Sequence, residues 1–141
     1  MVYFLYKREK VTDVKRYSKK RESIIKCLRE TDTHPTAEWI FGKLKDEYPD
    51  LSLGTVYRNL SEMVREGSII SLGTIYGKER FDGRLDDHSH VICKKCGKIS
   101  DVENLTVSHQ QKTKAEKQTG FVIDRTDLEF FGLCRSCCNN H

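Results

Sequence analysis

The chain has 141 residues, 37% of them hydrophobic and 33% charged, with 25 Lys and Arg against 21 Asp and Glu for a formal net charge of +4. That length suits one or two small domains, each with a core of limited size. No apolar run approaches the length needed to span a bilayer. The first eight residues begin apolar but lack a basic leader, a full hydrophobic segment and a small-residue cleavage site, so the expectation is a cytoplasmic protein with no membrane partner.

In chain order, Ile24, Ile25 and Leu28 recur at helical spacing, which predicts a helix over Ser18 to Arg29 with Ser18 as its N-cap. Lys15, Arg16, Lys19, Lys20 and Arg21 crowd the approach to it. Such a run is a solvated face or a phosphate-binding edge. Thr36 should cap a second helix through Trp39, Ile40, Leu44 and Tyr48, ended by Pro49, with Trp39 in the core. Ser52 should cap a third helix to about Glu66, where Gly67 stops it. Val56, Leu60, Met63 and Val64 form its buried stripe. Gly54, Thr55, Tyr57, Arg58 and Asn59 cluster in its first turns, as small and polar residues do where a recognition helix meets base edges. Strands over 68–72 and 74–76, a turn at Gly77-Lys78 and a strand over 79–82 then read as the wing of a winged helix. Together with the basic run, this predicts binding to double-stranded DNA.

The acidic, weakly apolar stretch 83–87 reads as a hinge, which divides the chain into a winged-helix domain over 1–82 and a second domain over 88–141. In the second, Ser89–Cys93 and Lys98–Val102 read as strands, Asn104 to Thr119 as a polar helix ended by Gly120, and Phe121–Ile123 and Leu128–Leu133 as further strands. The expected class is α+β, with a small core of the kind that often needs a metal staple or a partner chain.

Two Cys-x2-Cys knuckles, Cys93/Cys96 and Cys134/Cys137, supply four thiolates, the number a closed tetrahedral zinc site takes. Paired knuckles favour metal in a reducing compartment over disulfides. Cys27 lies on the apolar side of a helix and reads as a small buried hydrophobe. Cys138 reads as a spare thiol, although its position beside Cys137 leaves the fourth ligand open. His88 and His90 alternate at period two, so on a strand both imidazoles share a face. They are not needed for the thiolate site and are available for a second one.

These residues resemble the ferric uptake regulator (Fur) superfamily over nearly the full length. The matching segments are Arg21-Glu22-Ser23-Ile24-Ile25, His34-Pro35-Thr36-Ala37-Glu38, Leu53-Gly54-Thr55-Val56-Tyr57-Arg58-Asn59-Leu60, Arg80-Phe81-Asp82, and His88-Ser89-His90 leading into Cys93-Lys94-Lys95-Cys96-Gly97-Lys98. The resemblance implies a homodimer with an N-terminal winged helix-turn-helix, a C-terminal α/β dimerisation domain, and structural zinc on Cys93, Cys96, Cys134 and Cys137. It also implies a regulatory metal on His34, Asp82, His88, His90 and Asp101. Imidazoles and carboxylates form an N/O set suited to Fe(II) or Mn(II). A metal joining ligands from both domains would set the angle between them, and hence the spacing of two recognition helices in a dimer.

Aspartate at 101 resembles the peroxide-sensing PerR branch, whereas the iron-sensing branch usually carries glutamate. The PerR resemblance implies Fe(II)-dependent oxidation of a ligand histidine, with His34 and His88 at the matching positions, followed by release of DNA. An extra metal site of many Fur proteins has no match here: the pattern reads Asp87-His88-Ser89-His90, and Thr126 stands where a histidine is expected. Arg58 resembles the iron-sensing recognition helix, and Lys19 replaces a common proline. The alternative reading is an iron- or manganese-responsive regulator of metal uptake; a zinc-uptake regulator fits less well, because that branch tends to use a cysteine. An enzyme is not expected. A metallohydrolase would use the His/Asp cluster with a metal-bound water, but five protein ligands leave little open coordination. A thiol oxidoreductase would use one Cys-x-x-Cys rather than two. No small-molecule substrate is expected beyond metal ions and peroxide.

Overall fold

The computed structural model describes residues 14–139, with side chains from Lys19 onward. The chain divides into two compact units between Leu85 and Asp86.

The first unit is built from α1 (Val14–Arg29), α2 (Ala37–Leu44), α3 (Leu53–Glu66), β1 (Ile70–Ile75) and β2 (Lys78–Asp82). Ile24 and Leu28 of α1, Ile40 and Leu44 of α2, and Val56, Leu60 and Met63 of α3 meet in one core, closed by Ile69 and Phe81. Each is an i, i+4 or i, i+7 partner of another on its own helix, so one stripe per helix faces inward. Full burial of such a side chain stabilises by roughly 1.5–3 kcal/mol. The expected caps form: Thr36 Oγ1 accepts from Trp39 N at 3.2 Å, and Ser52 Oγ from Thr55 N at 3.1 Å. Trp39 packs against the core with Lys43 Nζ 5.2 Å from its ring centroid.

Four boundaries differ from expectation, the simplest being β1, which begins at Ile70 rather than at residue 68 and runs through Gly73 without a break. Helix α1 is already helical at Val14, so Ser18 lies inside it and is not its cap. The basic run does not break a helix, because Lys and Arg are good helix formers. Helix α2 stops at Leu44, although Tyr48 N still bonds Leu44 O at 2.9 Å. Tyr48 precedes proline, which disfavours the helical backbone there. Its hydroxyl instead meets Ser23 Oγ at 2.8 Å on α1. The wing turn sits at Tyr76-Gly77, both left-handed at φ 52° and 76°, and not at Gly77-Lys78. Two left-handed residues match the twist of a two-residue hairpin. Lys78 is therefore the first residue of β2.

The second unit runs β3 (Ser89–Cys93), β4 (Ile99–Val102), α4 (His109–Thr119), β5 (Glu129–Gly132) and α5 (Arg135–Asn139). The strands form one sheet in the order β4-β3-β5, antiparallel between β3 and β4 and parallel between β3 and β5. Its buried apolar residues are Ile92, Cys93 and Ile99, a thin core. Helix α4 starts at His109 rather than Asn104, where the backbone is left-handed at φ 56°. Ser108 supplies a reciprocal cap: its Oγ accepts from Gln111 N at 3.1 Å, and Gln111 Oε1 accepts from Ser108 N at 2.9 Å. Phe121–Ile123 joins no strand. Apolar composition favours a strand only where a neighbouring edge can pair with it. The short α5, which carries Cys137 and Cys138, was not anticipated.

Candidate metal centres and nucleic-acid interface

The parallel pairing of β3 with β5 decides where the cysteines go. Cys93 closes β3 and registers against Gly132 at the end of β5, so both knuckles leave the same end of the sheet. One sulfur from each of Cys93, Cys96, Cys134 and Cys137 lies within 4.8 Å of the others. A zinc ion at tetrahedral Zn–S distances needs sulfurs about 3.8 Å apart, and Cys96 Sγ is 3.7 Å from Cys134 Sγ. Backbone N–H groups of Cys134 and Cys96 point at Cys93 Sγ from 3.4 and 3.5 Å and hold that thiol down to about 5. Cys137, its thiol directed at Cys134, is pushed up to about 12. Sulfurs this close cannot all ionise without a cation among them, and a zinc ion supplies that charge. Cys138 is exposed and stands outside the four, while Cys27 is half-buried with its thiol raised by burial.

The His/Asp residues form a cluster in each unit. In the second, His90 pairs with Asp101 across β3 and β4, and His88 precedes the strand by one residue on the same side. Nε2 of His88 and Nε2 of His90 each lie 3.3 Å from Asp101 Oδ1. His88 Nδ1 is 2.7 Å from the Asp86 carbonyl. A carbonyl only accepts, so Nδ1 carries the hydrogen and Nε2 of the neutral ring offers its lone pair. A lone pair and a carboxylate oxygen facing each other are both electron donors, an arrangement suited to a cation between them. The set fits a divalent metal with N/O preference. In the first unit, His34 Nε2 lies 3.6 Å from Asp82 Oδ2, with both side chains buried. His34 has a left-handed backbone at φ 52°.

On α3, Gly54, Tyr57 and Arg58 are exposed at the N-terminal turns, and Ser52 and Thr55 bond each other through their hydroxyls at 2.8 Å. Asn59, expected among the DNA-facing residues, is 4% exposed, and its Nδ2 donates to Thr55 O at 2.9 Å. It belongs to the inner face. Arg21 is committed within the unit, donating to Glu66 Oε2 and Ser68 Oγ at 2.5 and 3.1 Å. Lys15 and Arg16 lie in α1, but their side chains fall outside the described residues.

Two residues of this face were missed from the sequence. Tyr57 OH donates to Glu38 Oε1 at 2.7 Å, and Lys78 Nζ from the wing lies 3.5 Å from the same oxygen. The Tyr57 hydroxyl holds the Glu38 carboxyl below the usual carboxylate range. The signal was weak, since it joins α2, α3 and the wing, which are far apart in sequence.

The model of the ferric uptake regulator family matches residues 13–131. This chain belongs to that family. Its members are metal-responsive transcriptional regulators, and this chain is one of them. A ferric uptake regulation protein of Campylobacter jejuni is 38% identical over 88% of this chain and 80% of its own length. The peroxide-responsive repressor PerR of Staphylococcus saprophyticus is 34% identical over 86% of this chain and 82% of its own. Among solved structures, the Helicobacter pylori ferric uptake regulator superposes at a TM-score of 0.71 with 26% identity, covering 89% of this chain and 87% of the other. The Campylobacter jejuni peroxide stress regulator gives the same TM-score with 25% identity, covering 97% and 98%. The family match ends before Cys134, so the second zinc knuckle rests on the geometry of the sulfurs.

Proposed function

We propose that this regulator is a peroxide-sensing repressor whose corepressor metal is held by His34, Asp82, His88, His90 and Asp101. The observation that carries the reading is the convergence of His88 and His90 on one oxygen of Asp101, with the His88 tautomer set by the Asp86 carbonyl. Cys93, Cys96, Cys134 and Cys137 hold structural zinc. His34 and Asp82 supply the other donors from the winged-helix unit, so metal would favour one arrangement of the two units by its differential affinity for it. Aspartate at 101 supports the peroxide branch. Bound Fe(II) would supply the electrons that turn peroxide into an oxidant able to add one oxygen to the ring of His34 or His88. An oxidised ring is a poorer ligand, and its loss releases the constraint and the DNA.

Operator DNA would meet Gly54, Thr55, Tyr57 and Arg58 on α3, with Ser52 at its cap and Lys15 and Arg16 toward phosphates; Arg21, expected among these contacts, is instead engaged by Glu66 and Ser68. A homodimer would form through the second unit. Phe121 and Val122 are 73% and 93% exposed, Phe130 and Phe131 are exposed on β5, and α4 buries none of its residues. So much apolar surface beside a thin core calls for a second copy. Among the described residues no helix is long and apolar enough to cross a membrane. Four cysteines in two paired knuckles suit metal in a reducing compartment such as the cytoplasm. The family consists of regulators rather than enzymes, and the metal here governs DNA affinity rather than turnover.

Intact mass after loading with Fe(II), and separately Mn(II), followed by a small dose of peroxide, tests this reading. Gain of one oxygen at His34 or His88 with iron only is the expected result. Absence of that gain, with metal still promoting DNA binding, would leave a metal-uptake regulator. That second reading is favoured by the 38% identity to a ferric uptake regulation protein and by Arg58 in the recognition helix.

A further inference from the structure

We infer that Arg80 is a positioning residue for the regulatory metal, acting through the backbone of Thr33 and His34. The inference rests on His34 and Asp82 being ligands of that metal.

Three consecutive carbonyls of the loop between α1 and α2 accept hydrogen bonds from two consecutive residues of β2. The Arg80 guanidinium donates from Nε to His34 O and from Nη2 to Thr33 O, the latter at 2.7 Å. Phe81 N donates to Pro35 O at 3.1 Å. The next residue of β2 is Asp82, whose Oδ2 lies 3.6 Å from His34 Nε2. Loop and strand are thus joined residue by residue up to the carboxylate.

The need for such a clamp is visible in the loop itself. His34 is left-handed at φ 52°, a backbone that a β-carbon makes unfavourable and that persists only where surrounding contacts hold it. Arg80, with Phe81 N beside it on Pro35 O, is among the contacts that hold it. Its planar fork spans adjacent carbonyls from one fixed position, and a lysine ammonium, with a flexible stem and point charge, does not reproduce that geometry. Released from Arg80, the loop relaxes toward an ordinary backbone and carries the imidazole away from Asp82. Residues that orient metal ligands in this way typically change affinity by about 10–100-fold when removed. Arg80 and the wing residue Lys78 lie on the same strand, so the loop presenting a metal ligand and the wing form one connected piece.

Calorimetric titration of zinc-loaded, full-length protein with Mn(II) tests the inference in four forms: unaltered, Arg80→Ala, His34→Ala and the double variant. Arg80→Ala is expected to weaken Mn(II) binding about 10-fold or more, and to add nothing further in the His34→Ala background, where the ligand it serves is gone. Arg80→Lys is expected to keep the charge and still lose affinity, and it serves as the probe if the alanine variant does not fold. Unchanged Mn(II) affinity in both Arg80 variants would overturn the inference. An equal loss in both backgrounds would also overturn it, because that is general weakening of the unit. If His34→Ala weakens binding while the Arg80 variants do not, only this inference falls. If His34→Ala binds Mn(II) like the unaltered protein, the ligand reading falls and takes this inference with it.

Discussion

Tyr57 and Asn59 stand two positions apart on α3, one exposed and the other enclosed. Asn59 belongs with Val56, Leu60 and Met63, spaced i, i+3, i+4 and i+7, which is the inward stripe of a helix. Its polarity put it with the DNA-facing residues in the sequence reading, against the helical period that carries it inward. The structure reconciles the two by giving its amide the Thr55 carbonyl. Asn59→Ala should therefore cost about 0.5–1.5 kcal/mol of stability, read as a lower urea midpoint. The ratio of operator to random-DNA affinity should stay the same; a fall in that ratio would return Asn59 to base contact. His88 shows the opposite case. Its partnership with His90 was legible from a spacing of two, because extended backbone, which here begins just before β3, turns alternate residues to one face. Its tautomer was not legible, since that depends on where the Asp86 carbonyl falls.

At the scale of elements, β2 carries more than its wing role. It begins with Lys78 near Glu38, continues through Arg80 at the His34 loop, and ends at Asp82. Gly83 follows, read from the sequence as the first residue of a hinge. A β-carbon there would lie 2.9 Å from Leu28 Cβ and 3.3 Å from the backbone nitrogen of Arg29, so the chain is packed on α1 at this point. Gly83→Ala should destabilise the first unit by about 1–3 kcal/mol through overpacking. The check is the denaturant midpoint of that unit, and a change below a few tenths of a kcal/mol would mean that α1 yields freely. The helix ends were legible where a side chain caps them, as at Thr36 and Ser52. They were misplaced where tertiary contacts or helix-forming lysines override local signals, as at Tyr48 and in the basic run.

For the whole molecule, the two units are stabilised by different means. The first has a core drawn from three helices and the hairpin, whereas the second buries little beyond Ile92, Cys93 and Ile99 and relies on its thiolates. Chelation or Cys96→Ser should remove zinc and unfold the second unit while the first keeps its helices. Acid should do the same. Cys93 has its thiol lowered from the ordinary range to about 5, chiefly by the Cys134 N–H, so its thiolate contributes above the unfolded value and is lost as pH falls through about 5. A zinc-binding dye and far-ultraviolet dichroism, followed together down the pH scale, should report zinc release with loss of only part of the secondary structure. Simultaneous collapse of both units would contradict this division.

The sequence by itself determined the helical stripes, the caps at Thr36 and Ser52, the paired knuckles and the shared face of His88 and His90. All of these are local: a period, a side chain three residues from its backbone partner, or a spacing of two along extended chain. Only the tertiary structure decided that β5 lies parallel to β3, that this brings Cys134 and Cys137 to Cys93 and Cys96, and that Arg80 secures the His34 loop. It also showed Phe121 and Val122 outside any strand of their own chain. These facts join residues distant in sequence, and strand order and loop contacts follow from the packing of the whole chain rather than from any one stretch of it.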